Sequence, residues 1–177
     1  AYPFHMPGHK RREIPDGIPG GFPDPYGIDI TEIDGFDNLH HAEGILLEAQ
    51  QRAAQTFGAD ESYFLVNGST AGLLAAVCGT VKKGGRLLMA RNSHKAVYHA
   101  VYLMELQTEY LYPERTEFGI QGSIVPEQVQ RMLELYPDTQ AVLLTSPTYD
   151  GVVSDIAAIA EIVHAHQIPL IVDEAHG

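Results

Sequence analysis

Several things are scarce in this sequence. Among 177 residues there is one cysteine, Cys78, and no tryptophan. A lone cysteine closes no disulfide within the chain, a usage that fits a reducing compartment such as the cytoplasm. It also leaves no set of thiolates for a structural zinc site, and no H-E-x-x-H motif stands in for one. Positive charge is low: 11 Lys and Arg face 23 Asp and Glu, for a formal net charge of -12. A surface of that sign does not suit nucleic acid, whose phosphates need a basic footprint. No apolar run approaches the roughly twenty residues of a membrane-spanning helix. No signal peptide is visible, and the start at Ala1 rather than Met reads as a cropped end. The expectation is a cytoplasmic protein with no metal, no membrane and no nucleic-acid partner.

What is present is a large apolar fraction, 45%, enough to bury a sizeable core. Residues 1–41 read as an irregular N-terminal arm, rich in Gly and Pro through "PFHMPGHKRREIPDGIPGGFPDPYG". Phe4, Met6, Phe22, Tyr26 and Phe36 are its candidate anchors. Residues 42–177 read as the N-terminal part of a larger domain. Ile45, Leu46, Ala49, Ala53 and Phe57 fall at helical spacing before Gly58. "SYFLV" (62–66) reads as a strand, and an apolar helix follows "NGST" to about Val81. "RLLMA" (86–90) is a second strand, and Ser93 is the expected cap of a helix reaching about Glu105. "TEYLY" (108–112) is a third strand, and Pro126 opens a helix through Val129, Met132, Leu133 and Tyr136. "AVLLT" (141–145), a helix capped by Asp155, and "IPLIVD" (168–173) complete the series. Short apolar strands alternating with helices predict an α/β fold, a mostly parallel sheet sandwiched by helices.

In such sheets ligands bind beyond the carboxyl ends of the strands. Four polar clusters follow strands directly: "NGST" (67–70), "RNSHK" (91–95), "SPTYDG" (146–151) and "DEAHG" (173–177). Parallel strands bring all four to one rim. "NGSTAG" sets Gly68, Ser69 and Thr70 at a helix start, with free amides and two hydroxyls suited to an anion; a plain Ser/Thr N-cap explains the motif alone equally well. It lacks the Lys of a nucleotide P-loop, and there is no G-x-G-x-x-G. Asp173 ends a buried strand, where a carboxylate needs a cation, a metal or a protonated heterocycle. Glu174, next along the strand, points the other way and reads as structural. His94 is a candidate for ring stacking or proton transfer, or for capping its helix. His5, His9, His40 and His41 lie in the arm, either near a site or packed, and His164 and His166 read as structural at a helix end. Cys78, among Ala75, Ala76 and Val77, reads as a small buried residue. A phosphate site, a stacking ring and an Asp for a ring nitrogen form one set, and pyridoxal 5'-phosphate (PLP) has those three features.

These residues carry a resemblance. The segments "FHMPGHK" (4–10), "DITEIDGFDNLHHAEG" (29–44), "AQQRAAQTFGADESYFLVNGSTAG" (49–72), "RNSHKAV" (91–97), "SPTYDGV" (146–152) and "VDEAHG" (172–177) resemble the Orn/Lys/Arg decarboxylase family, major domain, within the aspartate-aminotransferase-like PLP fold. The resemblance implies that Ser69, Thr70 and the Ala71 amide bind the phosphate. It implies that His94 stacks on the pyridine ring and Asp173 pairs with the ring nitrogen. Ala175 then packs under the ring, His176 lies beside it, and Ser146 and Thr148 line the rim, with Ser146 among the cofactor-binding candidates. Asp173, His94 and His176 are the catalytic candidates. The implied activity is decarboxylation of a basic amino acid by a homodimer or higher homo-oligomer. A transaminating or β-eliminating enzyme, or a catalytically dead partner-binding subunit, is the alternative. The family carries its Schiff-base lysine in an S-x-H-K motif after D-E-A-H-G, and none of Lys10, Lys82, Lys83 and Lys95 stands in that context. The expectation is therefore a fragment of the large domain, inactive by itself.

Overall fold

The computed structural model describes residue 33 and residues 35–177. Most of the arm, with His5, His9 and Lys10, lies outside the described residues. Those described divide into two compact units, one ending at Phe64 and the other running Leu65–Gly177.

In the first unit a 3₁₀ turn, Leu39–His41, precedes helix α1, Ile45–Phe57. Asn38 caps the turn, its Oδ1 accepting from the His40 amide at 2.8 Å. The Asp37 carboxylate accepts from four amides: Asn38 at 2.9 Å, Glu43 at 3.1 Å, Gly44 at 3.0 Å and Leu46 at 2.8 Å. These bonds, that from Glu43 foremost, hold its pKa down at about 2. Gly58 ends α1 at φ +66, a left-handed conformation open to glycine without strain. Residues 60–63 and α1 line a surface groove of about 270 Å³ that contains none of the candidate site residues.

The second unit holds α2 (Gly68–Thr80), β1 (Arg86–Ala90), α3 (Lys95–Leu103), β2 (Gln107–Leu111), α4 (Pro126–Leu135), β3 (Thr139–Thr145), α5 (Ile156–Ala165) and β4 (Leu170–Asp173). The strands form one parallel sheet in the order β2-β1-β3-β4. Alternation along each strand sorts side chains to two faces. Leu87, Met89, Ala141, Leu143 and Ile171 pack with Leu73, Val77, Val97 and Ala100 of α2 and α3. Leu88, Ala90, Val142, Leu144 and Leu170 pack with Val129, Leu133, Ile159 and Val163 of α4 and α5. The predicted α/β sandwich is what forms.

Three expectations are corrected. "SYFLV" forms no strand, and Tyr63 and Val66 are 70% and 74% exposed. An apolar run of β-formers becomes a strand only where its amides and carbonyls find a neighbour, and none pairs with it among the described residues. Cys78 is exposed rather than buried. Helix α2 is apolar all round, so its sequence does not single out the buried stripe, and Leu73 and Val77 take it. The cap of α3 is His94, not Ser93: His94 Nδ1 accepts from the Ala96 amide at 3.2 Å. The helix closes at Leu103, and Glu105 adopts φ +52.

Candidate functional site

The turn after α2 fixes which end of that helix meets the rim. Val81 to Gly85 lead straight into the start of β1, and the Lys82 amide donates to Gln140 Oε1, near the start of β3, at 2.9 Å. The carboxyl end of α2 thus lies at the amino-terminal ends of the strands. Thirteen residues of helix span about 20 Å, against about 16 Å for a five-residue strand. The start of α2, which packs on β3 and β4, therefore stands at the carboxyl rim. There Gly68 takes φ +66, and Asn67 makes no side-chain cap. The first amides of the helix, including those of Ser69, Thr70 and Ala71, have no intrahelical partner. Ser69 and Thr70 are exposed, and their hydroxyls make no hydrogen bond among the described residues.

Helix α3 begins at the same rim, directly after β1. His94 is exposed, with its ring tied at Nδ1 by the cap. The loop that carries it is braced by Arg91. The guanidinium carbon stands 5.6 Å from the Tyr98 ring centroid and 5.5 Å from that of Tyr110. Arg91 Nη1 donates to the Tyr98 hydroxyl at 2.7 Å, and that hydroxyl donates to the Arg91 carbonyl at 2.7 Å.

Asp173 ends β4 and is 6% exposed. It follows Ile171 by two residues and so lies on the α2–α3 face of the sheet. Its Oδ1 accepts from the Ala175 amide at 3.2 Å, while Oδ2 has no hydrogen-bond partner among the described residues. Glu174, Ala175 and His176 are exposed. The His176 ring meets Tyr149 edge-on, with centroids 5.3 Å apart, which ties the loop after β3 to the one after β4.

Ser146 goes elsewhere. It is 3% exposed, and its Oγ accepts from the Ser154 amide at 3.0 Å. Ser154 Oγ in turn accepts from the amide of Ile124, a residue of the α4–α5 core. Ser146 thus belongs to the opposite face from Asp173. Thr148 Oγ1 accepts from the Val152 amide at 3.1 Å within its own turn. Lys95 is exposed in the first turn of α3. His40 and His41 belong to the first unit, and His164 and His166 end α5.

Residue chemistry alone had not singled out Thr145, Asn92, Arg91 or Tyr149. Four buried side-chain atoms lack a partner among the described residues, and three of them sit at this rim: Asn92 Oδ1, Ser93 Oγ and Thr145 Oγ1. The available signal was position, since each stands at or just after a strand end beside a residue already chosen. Among the described residues no group of three His, Cys, Asp or Glu could hold a metal.

An uncapped helix start, a fixed flat ring and a buried carboxylate with an open oxygen fit a planar ligand that carries both a phosphate and a protonated ring nitrogen. The model of the family described as Orn/Lys/Arg decarboxylase, major domain, matches residues 1–177. The chain belongs to the Orn/Lys/Arg decarboxylase family. It is 40% identical over 179 residues to protein YaaO of Bacillus subtilis (strain 168), covering 100% of this chain and 37% of that protein. It is 35% identical to an arginine decarboxylase of the same organism, covering 98% of this chain and 36% of the relative. The chain thus spans little more than a third of these family members' length. The solved structure of the constitutive lysine decarboxylase of Escherichia coli superposes with a TM-score of 0.60 at 26% identity, over 72% of this chain and 19% of that one. The sheet accordingly has the PLP-dependent transferase-like fold of this decarboxylase family.

Proposed function

We propose that this chain works within a PLP-dependent carboxy-lyase that decarboxylates a basic amino acid, whether lysine, ornithine or arginine. One observation carries the reading. Asp173, buried and with one carboxylate oxygen open, shares a rim with the uncapped start of α2 and the ring of His94. PLP bound there supplies an electron sink, a protonated pyridine ring that accepts the charge left when CO2 departs. The chain's own residues supply the rest. Asp173 keeps the proton on the ring nitrogen, because a buried carboxylate favours a cation beside it. The Ser69 and Thr70 hydroxyls and the Ala71 amide hold the phosphate, aided by the positive end of the α2 dipole. His94 stacks on the ring, and its cap bond stops the imidazole from turning away. Ala175 is small enough to let the ring lie close, and His176, braced by Tyr149, limits water beside it. Ser146 acts by shaping the loop from 146 to 154 rather than by touching the ligand. On the same reading the product is a diamine or agmatine, a polyamine precursor. The setting is cytoplasmic, supported by the single cysteine. The assembly is a homodimer or larger homo-oligomer.

The test is Asp173→Asn in the full-length enzyme. It keeps the shape and removes the charge, and the expected loss in kcat/KM is at least about 2 kcal/mol. Near-normal turnover would remove Asp173 from the role. Absence of CO2 release by the wild type from all three amino acids would remove the function.

A further inference from the structure

Thr145 carries a buried hydroxyl that has no partner among the described residues: its Oγ1 is one of four such buried side-chain atoms. Leaving such a group unpaired costs free energy, so a hydroxyl buried in this way calls for a partner. Thr145 is paired in register with Asp173 across β3 and β4. Paired residues of neighbouring parallel strands present their side chains on the same face, with backbones about 4.8 Å apart. That face is the α2–α3 side, where Ala141 and Leu143 precede Thr145 and Ile171 precedes Asp173. On its other flank the next position in the row belongs to Arg91, two residues past the pair Met89 and Leu143. The Arg91 guanidinium is taken up by Tyr98 and Tyr110, on the α3 and β2 side. Of its two neighbours in the row, Asp173 is therefore the one left to Thr145, and its Oδ2 has no partner among the described residues while Oδ1 is held by the Ala175 amide.

We propose that Thr145 is the positioning residue for Asp173: its hydroxyl donates to the carboxylate and holds it facing the ring nitrogen of the bound cofactor. This rests on the PLP reading above. With one amide and one hydroxyl bond, the carboxylate keeps lone pairs for the ring and loses its freedom to swing. Threonine suits the task, because its methyl group fills the sheet surface while its hydroxyl serves the neighbouring strand.

The experiment uses the full-length protein, reconstituted with PLP. Thr145→Val removes the hydroxyl at nearly constant shape, and Thr145→Ser keeps it. The readouts are the PLP dissociation constant, the visible circular dichroism of the bound cofactor, which reports a fixed ring orientation, and the Tm of the cofactor-free protein. Thr145→Val should weaken PLP about tenfold, the scale of one hydrogen bond to a charged group, and diminish the dichroic band. Its cofactor-free Tm should hold, since the valine keeps the shape of the side chain. Thr145→Ser should bind within about twofold of wild type. In an Asp173→Asn background the valine should add little, because the residue acts through that carboxylate. If valine lowers the cofactor-free Tm, Thr145→Ala carries the same comparison. Unchanged affinity and dichroism in the valine variant, or an equal loss in both backgrounds, would overturn the assignment. A wild-type protein that binds no PLP would instead bring down the functional reading, and this inference with it.

Discussion

The two ends of the sheet are built from the same strands and treat their polar groups in opposite ways. At the amino-terminal end Arg86 engages every arm of its guanidinium. Nε donates to Asp138 at 2.9 Å, Nη1 to Glu109 at 2.7 Å and Nη2 to Gln107 at 2.9 Å. Its flat face lies 4.9 Å from the centroid of Tyr136. The Asp138 bond, with the nearby acids, raises the Arg86 pKa, and the Glu109 charge raises that of the Tyr136 hydroxyl. At the carboxyl end three buried side-chain oxygens have no partner among the described residues, Asp173 accepts one bond from them, and α2 starts without a side-chain cap. An end that satisfies itself holds the fold together. An end that leaves donors and acceptors open is prepared for something that arrives later, because buried polar groups are costly until they are paired.

The sharpest way to break this comparison is to remove the open donors. Replacing Ser69 and Thr70 together with Ala should weaken PLP binding by at least about 100-fold, by cofactor absorbance, since each bond to a charged phosphate contributes about 1.5–3 kcal/mol. The Tm of the cofactor-free protein should not fall. Unchanged affinity would return the motif to an ordinary helix start. The mirror-image change is Arg86→Ala. It strips the amino-terminal end of its ion pairs and ring contact, so thermal denaturation should show a Tm lower by a few degrees. PLP affinity should stay within about twofold of wild type, and a comparable loss of affinity would show that the two ends are coupled.

A carboxylate that is already saturated gives the smallest effect and a control for Asp173. Asp37 holds four amides, and its pKa is pulled from the ordinary 3.8 to about 2. A depressed carboxylate contributes stability that is fully present above about pH 3.8 and is lost as pH falls toward 2. Amide hydrogen exchange at Glu43, Gly44 and Leu46 should therefore be protected at neutral pH and lose protection through that window. Asp37→Asn should lower protection at neutral pH and flatten the dependence. Protection that ignores pH in the wild type would mean that the carboxylate is not what holds the turn.

Much of this arrangement could be read along the chain. "RLLMA" coincides with β1, Arg86–Ala90, and Asp155 caps α5 through a bond from the Ala158 amide. Gly58 ends α1 as its position implied. The residues nominated for the rim, Ser69, Thr70, His94 and Asp173, do stand at strand ends or helix starts. These features depend on periodicity and on contacts within a turn, which a sequence displays directly. "SYFLV" failed for the opposite reason. Its residues suit a strand, but strands exist by pairing, and pairing is not local. Cys78 failed because α2 has no polar face to mark which side looks outward.

The sequence by itself determined the order of elements, the parallel sandwich, the family, and which polar residues reach the carboxyl rim. Helix periods, strand alternation and turn residues encode those over a few positions. Only the tertiary structure decided which face of the sheet each rim residue serves. It turned Ser146 to the α4–α5 side and bonded it there, although it follows Thr145 directly. It set Thr145 beside Asp173 through the register of β3 on β4. It also left the hydroxyl of Ser93 without a partner among the described residues. Each outcome depends on which strand lies next to which and where its neighbours place their donors. Such contacts join residues far apart in the chain, and no local pattern records them.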